Sequence, residues 1–235
     1  MQKGYGQFCP LAKAAELLCE RWTMIVIREL VAGSHQFNDL RRGLPLMSPT
    51  LLSLRLKQLT EAGVVRRVSG KTGKQVYELT EAGRELEPLV KSMGIWGHRW
   101  ARSQFEDHDL DVGLLMWDIR RGVNSACFPT RRLVIEIAFT DAPKGMGQWW
   151  LVSENRDVDL CLKATGHDVD LVIKSTVRAL TSVWMCQQSL GEALKSGELT
   201  LLGPTDLREL LPVWLQGSPL ARMGAESLAV SPILQ

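Results

Sequence analysis

The sequence predicts an α+β chain in two parts: a helical segment ending in one basic β-hairpin, then a sheet with helices on one face. Three observations predict it. Apolar residues recur at helical spacing three times before residue 45 and again after Ser48. Two short strand-like runs then flank a loop with two glycines, residues 70–74. Beyond residue 110, four strand-like apolar runs are followed by renewed helical spacing.

Composition sets the class. The 235 residues are 45% hydrophobic and 23% charged, as in a globular protein. No stretch reaches about 18 consecutive apolar residues, and the start, MQKGYGQFCP, lacks the apolar core of a secretory signal. A cytoplasmic protein without a membrane span is therefore expected. The five cysteines (Cys9, Cys19, Cys127, Cys161, Cys186) are odd in number and widely spaced, so neither a disulfide framework nor a zinc pair is expected. Charge is unevenly divided. Residues 1–100 carry 15 Lys and Arg against 9 Asp and Glu, a net +6, whereas residues 101–235 carry 13 against 17, a net −4. A basic first part suits a polyanion, and the second part has a different task.

The helices follow in order. Leu11, Ala14, Ala15, Leu17 and Leu18 mark one between Pro10 and Cys19, and Trp22 to Ala32 a second, ended by Gly33. Phe37 and Leu40 anchor a short third, with Arg41 and Arg42 near its end. Ser48 is the expected N-cap of the fourth and Pro49 its first residue, where a missing N–H costs nothing. Leu52, Leu56 and Leu59 form its buried stripe. Thr50, Ser53, Leu54 and Lys57 form the opposite face, polar at the start and basic further along. A helix that enters a DNA major groove needs such a face, because its first turns meet the base edges. Gly63 ends the helix. The hairpin Val64–Ser69 and Gln75–Thr80 follows at once, with Arg66, Arg67, Lys71 and Lys74 on or beside it, in reach of phosphates. Each feature is common alone. Their order, three helices, a basic-faced helix and a basic hairpin, is that of a winged helix-turn-helix.

Thr80 is expected to cap one long helix in which Leu86, Leu89, Val90, Met93, Trp96 and Trp100 form an apolar face. That stripe is longer than a small winged domain can cover, so its remainder packs on the linked domain or on a second subunit. A homodimer is the better reading, since a two-fold protein matches a two-fold operator.

These residues resemble the HxlR family of bacterial winged-helix regulators over about residues 7–100. The likeness is carried by Cys9-Pro10-Leu11, Arg21-Trp22-Thr23, Ile27-Arg28-Glu29-Leu30, Phe37-Asn38-Asp39-Leu40-Arg41, Ser48-Pro49-Thr50-Leu51-Leu52 and Tyr77-Glu78-Leu79-Thr80. The resemblance implies a homodimer on a pseudo-palindromic, double-stranded operator. It also implies that Cys9, placed before Pro10 at a helix start, could serve as a thiol sensor of oxidants or electrophiles. The alternative is that Cys9 is a small buried hydrophobe.

Residues 1–102 thus form the DNA-binding domain with its dimerisation helix, and the polar, acidic stretch 103–109 a linker. Residues 110–217 form the second domain and 218–235 a tail rich in Ser, Pro, Gly and Ala. In the second domain a helix with Val112, Leu115, Met116 and Ile119 precedes strands near 133–139, 149–152, 158–163 and 169–174. Helices at 176–185 and 189–195, a strand at 199–202 and a helix at 205–214 complete it. Trp149-Trp150-Leu151-Val152, Val158-Asp159-Leu160-Cys161 and Gly197-Glu198-Leu199-Thr200-Leu201-Leu202-Gly203 are similar in pattern to the sterol carrier protein type-2-like fold. That likeness implies a tunnel for a small apolar effector, with Trp117, Trp149, Leu151 and Trp184 as candidate lining. The same aromatics would equally fill a core. The domain could instead be a relative that serves only as scaffold.

An enzyme is not expected. Asp157 with Asp159 and Asp168 with Asp170 read as solvated strand positions; His35, His98, His108 and His167 are isolated; and no nucleophile elbow, phosphate loop, metal or cofactor motif is present. The leading expectation is a regulator controlled by an apolar effector. A Cys9-switched regulator with a structural second domain comes next, and a lipid carrier last.

Overall fold

The computed structural model describes residues 4–70, 73–101 and 106–230, which fold into two compact units divided between Met93 and Gly94. The first unit opens with α1 (Pro10–Leu18), α2 (Thr23–Val31), α3 (Phe37–Arg42) and α4 (Pro49–Glu61). An antiparallel hairpin follows, β1 (Val65–Ser69) with β2 (Gln75–Leu79), paired from Val65 opposite Leu79 to Ser69 opposite Gln75. One cluster forms its core: Val26, Ile27 and Leu30 of α2, Leu40, Leu44 and Met47 around α3, and Leu52, Leu56 and Leu59 of α4. The spacing of these residues is why α2, α3 and α4 close on one another. His35 is tied to the hairpin: the Tyr77 N–H donates to the His35 carbonyl (2.8 Å), and the His35 ring nitrogen Nδ1 lies 3.0 Å from the Tyr77 carbonyl oxygen.

The long helix expected after Thr80 is two helices, α5 (Glu81–Arg84) and α6 (Glu87–Trp100). Pro88 is the reason. Its ring nitrogen cannot donate to the Arg84 carbonyl four residues back, and its ring crowds that carbonyl, so one turn must break and a new helix starts. Thr80 caps α5 through Gly83 N–H (3.2 Å), and its hydroxyl donates to Gly63 O (2.6 Å). Gly83 is needed for space: a Cβ there would stand 2.2 Å from the Val64 carbonyl oxygen. Thr80→Ala is expected to lower stability by about 1 kcal/mol, read from the denaturation midpoint at unchanged m-value.

The second unit has a five-stranded sheet in the order β5-β4-β3-β6-β7. The strands are β3 (Leu133–Phe139), β4 (Gln148–Glu154), β5 (Asp157–Cys161), β6 (Leu171–Ser175) and β7 (Leu199–Leu202). β3, β4 and β5 form the expected meander. β6 crosses to the other side of β3 and runs parallel to it, with Ile135 opposite Leu171. Leu133, Ile135, Ile137 and Phe139 share one face of β3. They join Trp149, Leu151, Leu171 and Ile173 under α7 (Val112–Gly122), α8 (Val177–Trp184) and α10 (Thr205–Trp214). Helices therefore pack on one sheet face, and the period-2 alternation of β3 is its cause. α9 (Leu190–Ser196) carries a capping box between Ser189 and Glu192, and these hydrogen bonds hold the Glu192 carboxyl below its ordinary range.

The stretch 218–235 is not simply a tail: residues 219–230 form α11 (Pro219–Val230). Its small residues allow close packing. A Cβ at Gly94 would stand 3.1 Å from the Leu220 methyls, and one at Gly224 would stand 2.6 Å from the His98 ring. The last two turns of α6 accordingly belong with the second unit, and the boundary falls at residues 93/94 instead of 102. A composition rich in Gly, Ala and Ser reads as a tail, but it is also what lets two helices approach closely.

Candidate nucleic-acid interface

The candidate interface is built on α4. Ser48 Oγ accepts from the Leu51 N–H (3.2 Å), so its hydroxyl is engaged in the cap, and Pro49 fills the first turn. Leu52, Leu56 and Leu59 are at most 1% exposed. Their burial fixes the rotation of the helix and turns Thr50, Ser53, Leu54 and Lys57 outward, all exposed, at i, i+3, i+4 and i+7. Lys57 has Glu61 at 3.7 Å, a solvated pair of little energetic weight.

Arg55, absent from the expected site, is a strut. Its guanidinium donates to the Arg21 carbonyl (3.0 Å), Gln58 Oε1 (2.6 Å) and Glu20 Oε2 (2.8 Å). These bonds tie α4 to the turn before α2, where Trp22 takes a left-handed conformation (φ 78°). The signal was present: Arg55 is three residues after Leu52 and four before Leu59, which places it beside the buried stripe.

The hairpin's cations differ in standing. Arg66 pairs with Glu78 directly across the ladder (2.7 Å), so its charge is compensated. Arg67 and Lys74 are exposed. Lys71 lies outside the described residues. Gly70 N–H donates to Lys74 O (2.7 Å) and closes the loop.

The turn from α3 to α4 adds a feature the residue pattern did not single out. Asn38, Arg41, Arg42, Leu46, Ser48 and Pro49 are among the residues lining an open concavity of about 590 Å³. In the sequence Arg41 and Arg42 stand only as residues near the end of the third helix. Only the turn places them beside the first residues of α4. Two guanidiniums beside a helix that presents hydroxyls, an apolar side chain and a lysine can contact phosphates and base edges together.

The other expected sites divide. On the dimerisation stripe Val90 is buried and Leu86 half-buried in the first unit's own core. Leu89, Met93, Trp96 and Trp100 are exposed at 44, 52, 61 and 64%. α1 buries none of its residues, and Leu11 is exposed. Cys9 is an exposed N-cap residue whose side chain makes no cap hydrogen bond. By contrast, burial pushes the thiols of Cys127 and Cys186 up, which disfavours their thiolates. Trp149, Leu151 and Trp184 join the continuous apolar core of the second unit. Trp117 is buried with the guanidiniums of Arg120 and Arg121 over its ring at 5.3 and 5.6 Å.

Comparison with known proteins bears on residues 17–105, which match the model of the HxlR-like helix-turn-helix family. An uncharacterised HTH-type transcriptional regulator of Bacillus subtilis, YvaP, is 35% identical over 105 residues, 43% of this chain and 97% of YvaP. The Synechocystis regulator sll1512 is 35% identical over 101 residues, 42% of this chain and 75% of its own. The HTH-type transcriptional regulator YodB of B. subtilis is 33% identical over 95 residues, 39% of this chain and 85% of YodB. Its reduced-form structure aligns at 29% identity with a TM-score of 0.36, covering 41% of this chain and 97% of that chain. No helix among the described residues is long and apolar enough to cross a membrane.

Proposed function

This chain belongs to the HxlR-like helix-turn-helix family, and we propose that it is a dimeric, operator-binding transcriptional regulator whose second unit receives the controlling signal. One observation carries the reading. Thr50, Ser53, Leu54 and Lys57 form an exposed stripe on a helix locked by three buried leucines and by Arg55, and the hairpin that follows it and packs on it exposes Arg67 and Lys74. Each subunit's Ser48–Lys57 segment enters a major groove, with Pro49 and Ser48 at the groove's edge. Arg67, Lys71 and Lys74 lie along the flanking backbone, Arg41 and Arg42 meet phosphates, and Arg66 acts mainly within the hairpin. The uncovered residues Leu89, Met93, Trp96 and Trp100 meet a second copy, which sets the spacing of the two recognition helices.

Fluorescence anisotropy on labelled duplexes across a salt series tests this. Lys74→Ala is expected to weaken operator and random DNA about equally and to lower the salt slope by about 1. Thr50→Ala and Ser53→Ala should change sequence preference instead. If none of the three alters DNA binding, the surface is misassigned.

The second unit is read as sterol-carrier-like, supported by its sheet with helices over an apolar interior that includes Trp149, Leu151 and Trp184; Trp117, buried on α7, lies outside that cluster. A small apolar effector held there acts through its differential affinity for two dimer arrangements, a coupling of roughly 1–3 kcal/mol. Native mass spectrometry of the purified dimer is expected to show an adduct released on denaturation. A second reading is favoured by the exposure of Cys9: a thiol switch. The quinone-bound form of the relative YodB supports this chemistry. Under the switch, diamide lowers DNA affinity of the native chain and leaves Cys9→Ser unchanged.

A further inference from the structure

From the recognition surface proposed above, on which this inference rests, we infer that Leu54 is a specificity-determining residue that reads the C5-methyl group of a thymine in each half-site. Leu54 is 46% exposed in the middle of a stripe otherwise made of Thr50, Ser53 and Lys57. It is not part of the core: the buried side of α4 is already filled by Leu52, Leu56 and Leu59. An apolar side chain on the second turn of a groove-entering helix has one apolar partner on the base edges of the major groove, the thymine methyl.

The rest of the stripe sharpens the inference by what it lacks. The strongest side-chain reader of guanine is a bidentate arginine. Arg55 is the one arginine in α4, and its guanidinium is committed to Glu20, Gln58 and the Arg21 carbonyl, with the side chain only 10% exposed. Ser48 spends its hydroxyl on the Leu51 N–H, and Pro49 has no N–H to give. The exposed face therefore offers two small hydroxyl residues, one lysine and one leucine. Ser and Thr hydroxyls accept either partner and discriminate weakly. Shape and apolar contact with thymine then carry a larger share of the discrimination than they do on an arginine-bearing helix.

The experiment uses the full-length chain. A randomised duplex library is selected for binding, and the best duplex is remade with deoxyuridine at every thymine, which removes only the C5-methyl groups. The expected result is a loss of about fourfold in affinity per covered methyl, on the scale of one buried carbon, and about tenfold or more over two half-sites. Leu54→Ala, at an exposed position, should fold with an unchanged melting temperature. It should bind the thymine duplex about tenfold more weakly and be indifferent to the uridine exchange, so that the two changes are fully coupled. Equal sensitivity to uridine in the native chain and in Leu54→Ala, or no sensitivity in either, overturns the assignment and leaves the regulator reading standing. Failure of the native chain to enrich any duplex overturns the regulator reading and this inference with it.

Discussion

Met93→Glu combined with Trp96→Glu is expected to convert the protein to a monomer and to lower its apparent operator affinity by about 10²–10⁴. The size of the effect comes from the linkage of two half-sites. Once one recognition helix of a dimer is docked, the second binds at an effective local concentration in the millimolar range, and this advantage disappears when the subunits part. The choice of positions comes from exposure: Met93 and Trp96 are 52% and 61% exposed on a stripe with Leu89 and Trp100. Met93 is no part of the first unit's core and Trp96 no part of the second's, so charge there should leave the fold intact while opposing a buried apolar interface. Analytical ultracentrifugation, read beside anisotropy on one-half-site and two-half-site duplexes, gives the answer. A double variant that sediments like the native dimer and binds both duplexes equally well removes the stripe from the interface. Val90→Glu would not serve as the test, because Val90 is buried in the first unit's core and its loss would unfold that core.

Arg28→Ala is expected to destabilise the first unit by about 3–5 kcal/mol, a large part of the stability of a small domain. Glu29 is 0% exposed, with Arg28 Nη2 at 2.6 Å and the Ser34 hydroxyl donating to it at 3.2 Å. Arg28 also donates to the Gly43 carbonyl (3.1 Å), so the pair fastens α2 to the end of α3, immediately before the turn that leads to α4. Removing the cation takes a guanidinium at 2.6 Å from a fully buried carboxylate, which costs more than the pair itself contributes. Gly43→Ala reaches the same place by another route. A Cβ at Gly43 would lie 1.9 Å from Glu29 Oε2, so the buried carboxylate would have to shift away from Arg28 and Ser34, which hold it. Both variants should melt at markedly lower temperature by calorimetry, by roughly 10 °C or more. An Arg28→Ala protein with native melting temperature would show that the buried carboxylate is held adequately by its other partners.

The winged half is readable from the sequence because each of its decisions is local. Ser48-Pro49 starts a helix by capping and by ring geometry, leucines at i, i+4 and i+7 choose its buried side, and the glycines of residues 70–74 close a hairpin. Thr50, Ser53, Leu54 and Lys57 could be named in advance because burial on one side of a helix dictates exposure on the other. Arg55 was missed although the same periodicity places it beside Leu52 and Leu59. A charged residue is read by habit as surface, while its actual role depends on the Glu20 carboxylate 35 positions away. Arg66 is the reverse case: its register partner Glu78 is fixed by hairpin pairing, so its charge is spent within the wing. The break at Pro88 was legible in the missing N–H, and the apolar stripe running through it obscured the signal.

The second half shows the limit of local information. Its strands and helices follow from alternation and capping, and most of their boundaries fall within two or three residues of the spacing. Nothing in the spacing says that β6 crosses the meander to lie parallel to β3, because that choice rests on pairing Ile135 with Leu171 and on which strands need neighbours. Nor does the composition of residues 219–230 announce a helix: alanine favours one, glycine opposes it, and Gly224 has its reason only in the His98 ring of α6 standing where a Cβ would lie. What the sequence by itself determined are most of the elements, the outward stripe of α4, the basic hairpin and the long apolar stripe from Leu86 to Trp100. The tertiary structure alone decided which charges are already spent (Arg55, Arg66), which apolar residues are left uncovered (Leu89, Met93, Trp96, Trp100) and where α11 packs. Periodicity reports which side of an element is apolar, whereas charge compensation and coverage depend on partners distant in sequence, brought together only when the chain closes on its core.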